Sequence, residues 1–190
     1  EIRTRTDDLP FAFGLAAQSG LPSADGFRFV PAMAAAVAKL GAGPALGFEA
    51  TAAAFGDTVG LYDDAGALSF HELRDMSDAL AVALGERGVD AGQKVGLLCR
   101  NHRGLLLSTV ALAKLGADGV FLNTGFAAPQ AVDVCAREGV IAVIADEEFD
   151  EIVKDIDAAR FVSWVEGDGS DTGGAGHTTL EELIEEGLGR

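Results

Sequence analysis

The chain has 190 residues, of which 48% are hydrophobic and 23% charged, so it is long enough to bury the core of a globular domain. Its 30 acidic residues outnumber its 14 basic ones, which gives a net charge of −16. A surface of this sign repels phosphate backbones and anionic lipids. The composition therefore argues against binding to nucleic acid or to a membrane surface.

Nothing in the sequence predicts export or a membrane span. The first ten residues are charged and lack the apolar region of a signal peptide, and no apolar run approaches the ~20 residues of a spanning helix. Cys99 and Cys135 lie in apolar stretches, which favours buried free thiols in a reducing compartment. We therefore expect a cytoplasmic protein, and the initial Glu1 suggests a trimmed piece of a longer chain.

The first 55 residues are predicted to be a leader with short helices, ahead of an α/β unit at 56–190. Residues 1–28 have little periodicity, whereas Pro31 to Leu40 and about Gly47 to Ala54 favour short helices. Thr58 to Asp63 and Ala67 to Phe70 flank the turn residues 64–66, which is typical of a β-hairpin.

A core-facing helix is predicted next. Ser69 and Glu72 have the spacing of a capping box, in which each caps the backbone of the other. The apolar residues of this helix recur every three or four positions, at Leu73, Met76, Leu80 and Leu84. The stripe indicates a helix that packs against a core and ends near Gly88.

Strands and helices then alternate, which predicts an α/β fold with a mostly parallel sheet. The predicted strands are Val95–Cys99, Val120–Leu122, Val140–Ala145 and Phe161–Val165. The predicted helices are His102–Leu115 with Asn101 as its cap, Pro129–Glu138, Glu147–Ala159 and a short acidic helix from Thr179 to Glu186. Between the last strand and the last helix, Gly167–Gly176 is predicted to be a flexible loop.

The usual motifs for nucleotide phosphates are absent from the sequence. A Walker loop needs Gly directly before its Lys, and the four lysines follow Ala, Gln, Ala and Val. A dinucleotide fingerprint needs three glycines at the first strand–helix turn, and the turn after Cys99 has only Gly104.

The sequence predicts no metal site. His71, His102 and His177 are scattered, so surface or capping roles are favoured over metal ligation. Asp146-Glu147-Glu148 offers carboxylates, but acidic residues are also favoured in the first turn of the helix predicted there.

Ligands of open parallel sheets bind beyond the carboxyl ends of the strands. Three segments qualify by that rule: Arg100-Asn101-His102, Asn123-Thr124-Gly125 and Asp146-Glu147. The second is the most suggestive, because Gly125 allows close backbone approach while Asn123 and Thr124 offer hydrogen bonds.

Between about Asp57 and Val153 the chain contains an ordered set of short segments: Ser69-Phe70-His71-Glu72-Leu73, Ser77 with Ala79-Leu80-Ala81, Gly88-Val89 with Gly92, Lys94-Val95-Gly96, Asn101, Ala113-Lys114-Leu115-Gly116-Ala117, Leu122-Asn123-Thr124-Gly125-Phe126 with Pro129-Gln130, and Asp146-Glu147-Glu148-Phe149. With this set, the region resembles the N-terminal part of the AMP-forming acyl- and aryl-CoA synthetase superfamily, and it looks most like the bacterial fatty-acyl-CoA ligases.

The resemblance implies a two-step reaction of the full-length enzyme. A fatty acid or other carboxylate attacks the α-phosphate of ATP, with Mg²⁺ as the implied metal, and CoA then displaces AMP from the acyl-adenylate. The family's phosphate loop and catalytic lysine would follow Arg190, so we expect this chain alone to be inert and to bind none of these ligands. Asn123, Thr124 and Gly125 correspond to a segment near the CoA nucleotide in related synthetases, and no catalytic or metal residue carries over.

Two other interpretations remain open. The first is a non-catalytic α/β binding or interaction module on the same scaffold, and the second is a flavodoxin-like or receiver domain. A receiver needs an acidic pair after its first strand, where this chain has Arg100 to Arg103. Exposed sheet edges of such a fragment favour association, so a homo-oligomer is a further expectation.

Overall fold

The computed structural model describes residues 24–40, 44–163 and 178–189. The strands are β1 Val59–Asp63, β2 Gly66–Ser69, β3 Lys94–Leu98, β4 Asp118–Phe121, β5 Val140–Ala145, β6 Ala159–Val162 and β7 Thr178–Thr179. The α-helices are α1 Ala24–Leu40, α2 Pro44–Phe55, α3 Phe70–Glu86, α4 Arg103–Leu115, α5 Ala128–Glu138, α6 Asp150–Val153 and α7 Leu180–Leu188. A 3₁₀ turn, Glu147–Phe149, leads into α6.

The main sheet has five strands in the order β4-β3-β5-β6-β7, and every neighbouring pair is parallel. β1 and β2 form a separate antiparallel hairpin, with Asp63 opposite Gly66 at its turn. The predicted α/β class, the parallel sheet and the hairpin are therefore confirmed.

Helices cover both faces of the sheet, because successive strand residues point to opposite sides. On β3, Val95 and Leu97 enter a core shared with α3, α4 and α7, whereas Leu98 enters a second core beneath α5 and α6. On β5, Ile144 belongs to the first core and Val143 to the second. Burial on both faces explains why these strands are almost wholly apolar.

The helix α3 agrees closely with its prediction. The Ser69 hydroxyl accepts a hydrogen bond from the Glu72 N–H, and the Glu72 carboxylate accepts from the Ser69 N–H at 2.7 Å. Leu73, Leu80 and Leu84 are fully buried, and Met76 packs against the same core.

Two other predictions were wrong in part, and one strand was missed. The helix α1 begins at Ala24, inside the predicted irregular leader, and continues through Pro31. His102, not Asn101, is the N-cap of α4. The strand β7, whose Thr178 and Thr179 pair with Phe161 and Val162, has too few residues to leave a periodic signal in the sequence.

The helix predicted for Glu147–Ala159 was also wrong, because only Asp150–Val153 is α-helical. The chain must return to the amino end of β5, where Ala159 pairs with Ala142. A helix continuing to 159 would consume the first residue of β6. Phe149, Val153 and Ile156 are instead buried beneath the sheet.

Some predictions fall on residues that the structure does not describe. They include the irregular segment before Ala24, the end of the strand predicted through Val165, the loop Gly167–Gly176 and His177. Among the described helices, none is both long and apolar enough to cross a membrane.

Candidate functional site

The carboxyl ends of β3, β5 and β6 meet at one edge of the sheet, and a buried carboxylate joins them. Asp146, which directly follows β5, is 3% exposed. It accepts hydrogen bonds from the Arg100 N–H at 2.6 Å, from His102 Nε2 at 2.9 Å and from the Ser163 hydroxyl. One side chain thus fixes the turn after β3 and the end of β6.

The hydrogen bonds of His102 indicate its tautomer. Its Nδ1 lies 3.0 Å from the Gly104 N–H, which can only donate, so Nδ1 is the acceptor that caps α4. The proton of the neutral ring is therefore on Nε2 and is donated to Asp146. Capping was one of the two roles expected for this histidine, although Asn101 was predicted to cap α4.

Burial alone would raise the pKa of the Asp146 carboxyl, because it disfavours the charged form. Hydrogen bonds from His102, Ser163 and the Arg100 N–H outweigh burial, and the pKa lies below its usual value. Asp146 is therefore an anion at neutral pH, and its partners hold it in place.

Cys99 borders this network. Its thiol is buried and lies 3.1 Å from the Ser163 hydroxyl and 3.5 Å from the Ile144 carbonyl. Burial raises the pKa of the Cys99 thiol to about 12. Cys99 is therefore protonated and unreactive at neutral pH, and both cysteines are free and buried as predicted.

The hairpin is attached to the same edge by an ion pair. Asp63 accepts from the Arg103 N–H at 2.9 Å and from the Arg103 guanidinium at 2.6 Å, and its side chain is 5% exposed. The carboxylate thus occupies the amino terminus of α4, where a helix favours negative charge. Its bond to the Arg103 guanidinium is the main reason that the pKa of Asp63 falls to about 2.

A cavity of about 430 Å³ lies between the hairpin and this edge. It is lined by Tyr62, Asp63, Asp64, Arg100, Asn101, His102, Asp146 and Glu148. Two of the three predicted segments, the one at Arg100 and the one at Asp146, therefore meet in one site. Sequence reasoning missed Asp63, because nothing in the sequence indicates that the hairpin reaches this edge. It missed Ser163 because the fourth strand was predicted to continue to Val165, whereas β6 ends at Val162.

The third predicted segment lies elsewhere. Asn123 follows β4 at the far side of β3 and does not line this cavity. Its side-chain oxygen accepts the Gly125 N–H at 2.8 Å, and its carbonyl accepts the Phe126 N–H at 3.0 Å. Asn123 and Gly125 are exposed and Thr124 is half-buried, so the segment is a tight exposed turn.

The cations of the domain are already paired. Every arginine and lysine from Arg74 to Arg160 forms an ion pair with an aspartate or glutamate. The most buried is Lys114, whose Nζ lies 2.8 Å from Glu49 and 2.6 Å from Asp78. Within the described residues, no three His, Cys, Asp or Glu side chains are placed to hold a metal ion.

A family model of AMP-binding enzymes matches residues 48–182. The chain belongs to this family of AMP-binding enzymes. No curated protein sequence matches it. Among solved structures, a benzoate CoA ligase from Burkholderia xenovorans LB400 is 19% identical with a TM-score of 0.63, and the match covers 74% of this chain and 28% of the ligase.

Two further solved structures share the fold. A protein assigned by name to the long-chain-fatty-acid CoA ligases of Rhodopseudomonas palustris CGA009 is 22% identical, with a TM-score of 0.64 and coverage of 75% of this chain and 36% of that one. The NpsA N-terminal subdomain of Klebsiella oxytoca, complexed with anthranilyl-AMSN, is 22% identical, with a TM-score of 0.54 and coverage of 73% and 31%. The chain thus spans about a third or less of these relatives, and at such identities they establish the fold.

Proposed function

We propose that this chain is the N-terminal part of an ATP-dependent ligase that joins a carboxylic acid to CoA through an acyl-adenylate. The match of an AMP-binding family model to residues 48–182 carries the proposal. ATP, CoA and Mg²⁺ are the ligands proposed for the whole enzyme, in the cytoplasm. The described residues form no metal cluster, so no step is assigned here to Mg²⁺.

The chain contributes a scaffold to this reaction rather than its reacting groups. Bringing a carboxylate to a triphosphate joins two anions, so the transition state needs cations and N–H donors around the α-phosphate. Between Arg74 and Arg160 the arginines and lysines are all neutralised by carboxylates. This pairing supports the proposal that the 190 residues alone are inert.

Pyrophosphate exchange tests whether the 190 residues act as a scaffold without catalytic activity of their own. The product of the entire source gene is expected to exchange labelled pyrophosphate into ATP when a carboxylic acid is present, whereas the 190-residue chain is expected to show no exchange above background. Exchange by the short chain would refute the scaffold role. Absence of exchange with the entire product would favour the non-catalytic binding module instead.

We also propose a fatty acid as the carboxylate. The resemblance of residues 122–130 and 146–149 to fatty-acyl-CoA ligases supports this choice, and the Rhodopseudomonas protein carries such a name. The test is the kcat/KM of the entire gene product for octanoate, palmitate, benzoate and anthranilate. A higher kcat/KM for either aryl acid than for both fatty acids would contradict the choice of a fatty acid.

Asn123, Thr124 and Gly125 are proposed to contact CoA. Their position beyond β4, in an exposed turn with Gly125 N–H held by Asn123, supports this role. Replacing Thr124 by Val in the entire product removes a hydroxyl at nearly constant volume without touching the Asn123–Gly125 hydrogen bond. The KM for CoA is expected to rise severalfold while the KM for ATP stays constant, and an unchanged KM for CoA would exclude Thr124.

The proposed organisation is a leader at 1–55 followed by the α/β subdomain at 56–190. The last helix of the leader, α2, is packed on the subdomain, since Glu49 pairs with Lys114 of α4. Limited proteolysis tests this arrangement. Rapid cleavage between α2 and β1 would support a boundary at residue 55, whereas protection of that link would contradict it and place α2 in the subdomain.

A further inference from the structure

One ion pair differs from the others in its position. Arg100 and Glu148 follow β3 and β5, and both line the 430 Å³ cavity at the edge where ligands of parallel sheets bind. The Arg100 side chain is 57% exposed and that of Glu148 is 33% exposed. This pair can therefore open without unpacking the core.

The contact has the geometry of anion recognition. Arg100 Nε and Nη2 each donate to one oxygen of the Glu148 carboxylate at 2.8 Å, in the two-point arrangement that guanidinium groups also make with phosphates. The guanidinium lies 4.9 Å from the centre of the Phe149 ring, and the Arg100 N–H is fixed by Asp146 at 2.6 Å. Arg100 is thus held in position for an anion.

Arg100 is the only arginine or lysine among the residues that line the cavity. Both ring nitrogens of His102 are occupied, Nε2 by Asp146 at 2.9 Å and Nδ1 by the Gly104 N–H at 3.0 Å. Asp63 is paired with Arg103, and Asp146 is satisfied by three donors, so their charges are partly compensated. The side chains that line the cavity include no aliphatic residue, so it suits a polar head group rather than an acyl chain.

We infer that Arg100 is a binding residue for a phosphate-bearing ligand, and that the Glu148 carboxylate occupies its place until the ligand displaces it. The inference deepens the proposed function, whose nucleotide substrates bear the phosphate, and it departs from the expectation that the 190-residue chain binds none of them. Phosphate carries more charge than a carboxylate and can accept the same two donors. Glu148 thereby acts as an internal competitor that weakens binding.

Equilibrium titrations of the 190-residue chain test the inference, with CoA, ATP and inorganic pyrophosphate as separate probes. Glu148→Gln removes the competing charge and is expected to tighten binding of at least one probe about fivefold, the size of an exposed ion-pair contact. The probe that gains most identifies the source of the phosphate. Adding Arg100→Ala to Glu148→Gln is expected to abolish the gain.

Glu138→Gln is the matched control. It makes the same change in net charge and releases Lys94 from its 3.0 Å pair at the opposite end of β3, away from the cavity. An equal gain from this variant would attribute the effect to net charge and overturn the inference. No gain from Glu148→Gln with any probe would overturn it as well, whether or not the entire gene product catalyses pyrophosphate exchange.

Discussion

Asp63 caps α4 from another element, since its carboxylate contacts both the backbone N–H and the guanidinium of Arg103. These bonds attach the hairpin to the edge of the sheet where the cavity lies. Among the described residues, the hairpin strands and the main sheet form two separate sheets. Together with the packing of Leu61 and Leu68 against the core, this pair positions the wall formed by Tyr62, Asp63 and Asp64.

Asp63→Asn is expected to destabilise the fold at neutral pH. The pKa of Asp63 is about 2 in the folded state against an ordinary value of 3.8. The charged Asp63 carboxylate therefore stabilises the folded state fully above pH 3.8, and this stabilisation is lost as the pH falls through about 2. It amounts to about 1 to 2 kcal/mol in the free energy of unfolding after allowance for solvent screening. Urea unfolding between pH 7 and pH 3 measures it.

The control for that experiment is Asp64→Asn, an adjacent exposed residue, which should change the free energy of unfolding by less than about 0.5 kcal/mol. The difference between wild type and Asp63→Asn should narrow at the acid end of the range. A difference that stays constant down to pH 3 would show that the charge of Asp63 is not the cause.

Lys114→Met should be among the most damaging substitutions in the chain. The Lys114 and Glu49 side chains are 7% and 10% exposed, so loss of the ammonium leaves a buried carboxylate without its counter-ion. We expect a loss of about 3 to 5 kcal/mol in the free energy of unfolding. Lys94→Met, which breaks the more accessible, half-buried pair with Glu138, should cost about 1 kcal/mol or less.

Two helical glycines should respond in opposite ways to alanine. A methyl group on Gly187 would lie 2.2 Å from the Ala79 carbonyl oxygen, so α3 and α7 would have to separate. A methyl group on Gly47 in α2 meets nothing within 4 Å. We expect Gly187→Ala to lower the melting temperature and Gly47→Ala to raise stability by about 0.5 to 1 kcal/mol.

The reactivity of the two thiols tests whether Cys99 and Cys135 are buried. Burial raises the pKa of both Cys99 and Cys135, so neither is expected to react with Ellman's reagent at pH 8 in the folded chain. Ser163→Ala removes the hydroxyl beside Cys99 and should leave Cys99 buried and unreactive. Both thiols should react in 6 M guanidinium, and fast reaction in the folded state would contradict the packing described.

Much of the fold could be predicted from local signals. The Ser69–Glu72 capping box and the stripe through Leu73, Leu80 and Leu84 fixed α3, because caps and helical periodicity act within a few residues. The position of Arg100 and Asp146 at one edge also followed, since parallel strands place their carboxyl ends together. The exact ends of α6 and β6 could not be predicted from the sequence, because they depend on the pairing of Ala159 with Ala142 in the folded sheet.

The sequence by itself determined the alternation of buried strands and amphipathic helices, and hence the parallel α/β sheet, because hydrophobic periodicity is a local property of the chain. Only the tertiary structure brought Asp63 to Arg103, Ser163 to Asp146, and Glu148 to Arg100. Such partners are separated by many residues, and a carboxylate in a sequence does not specify which distant donor it will meet. The network around the cavity therefore depends on how the hairpin and the strand ends pack in three dimensions.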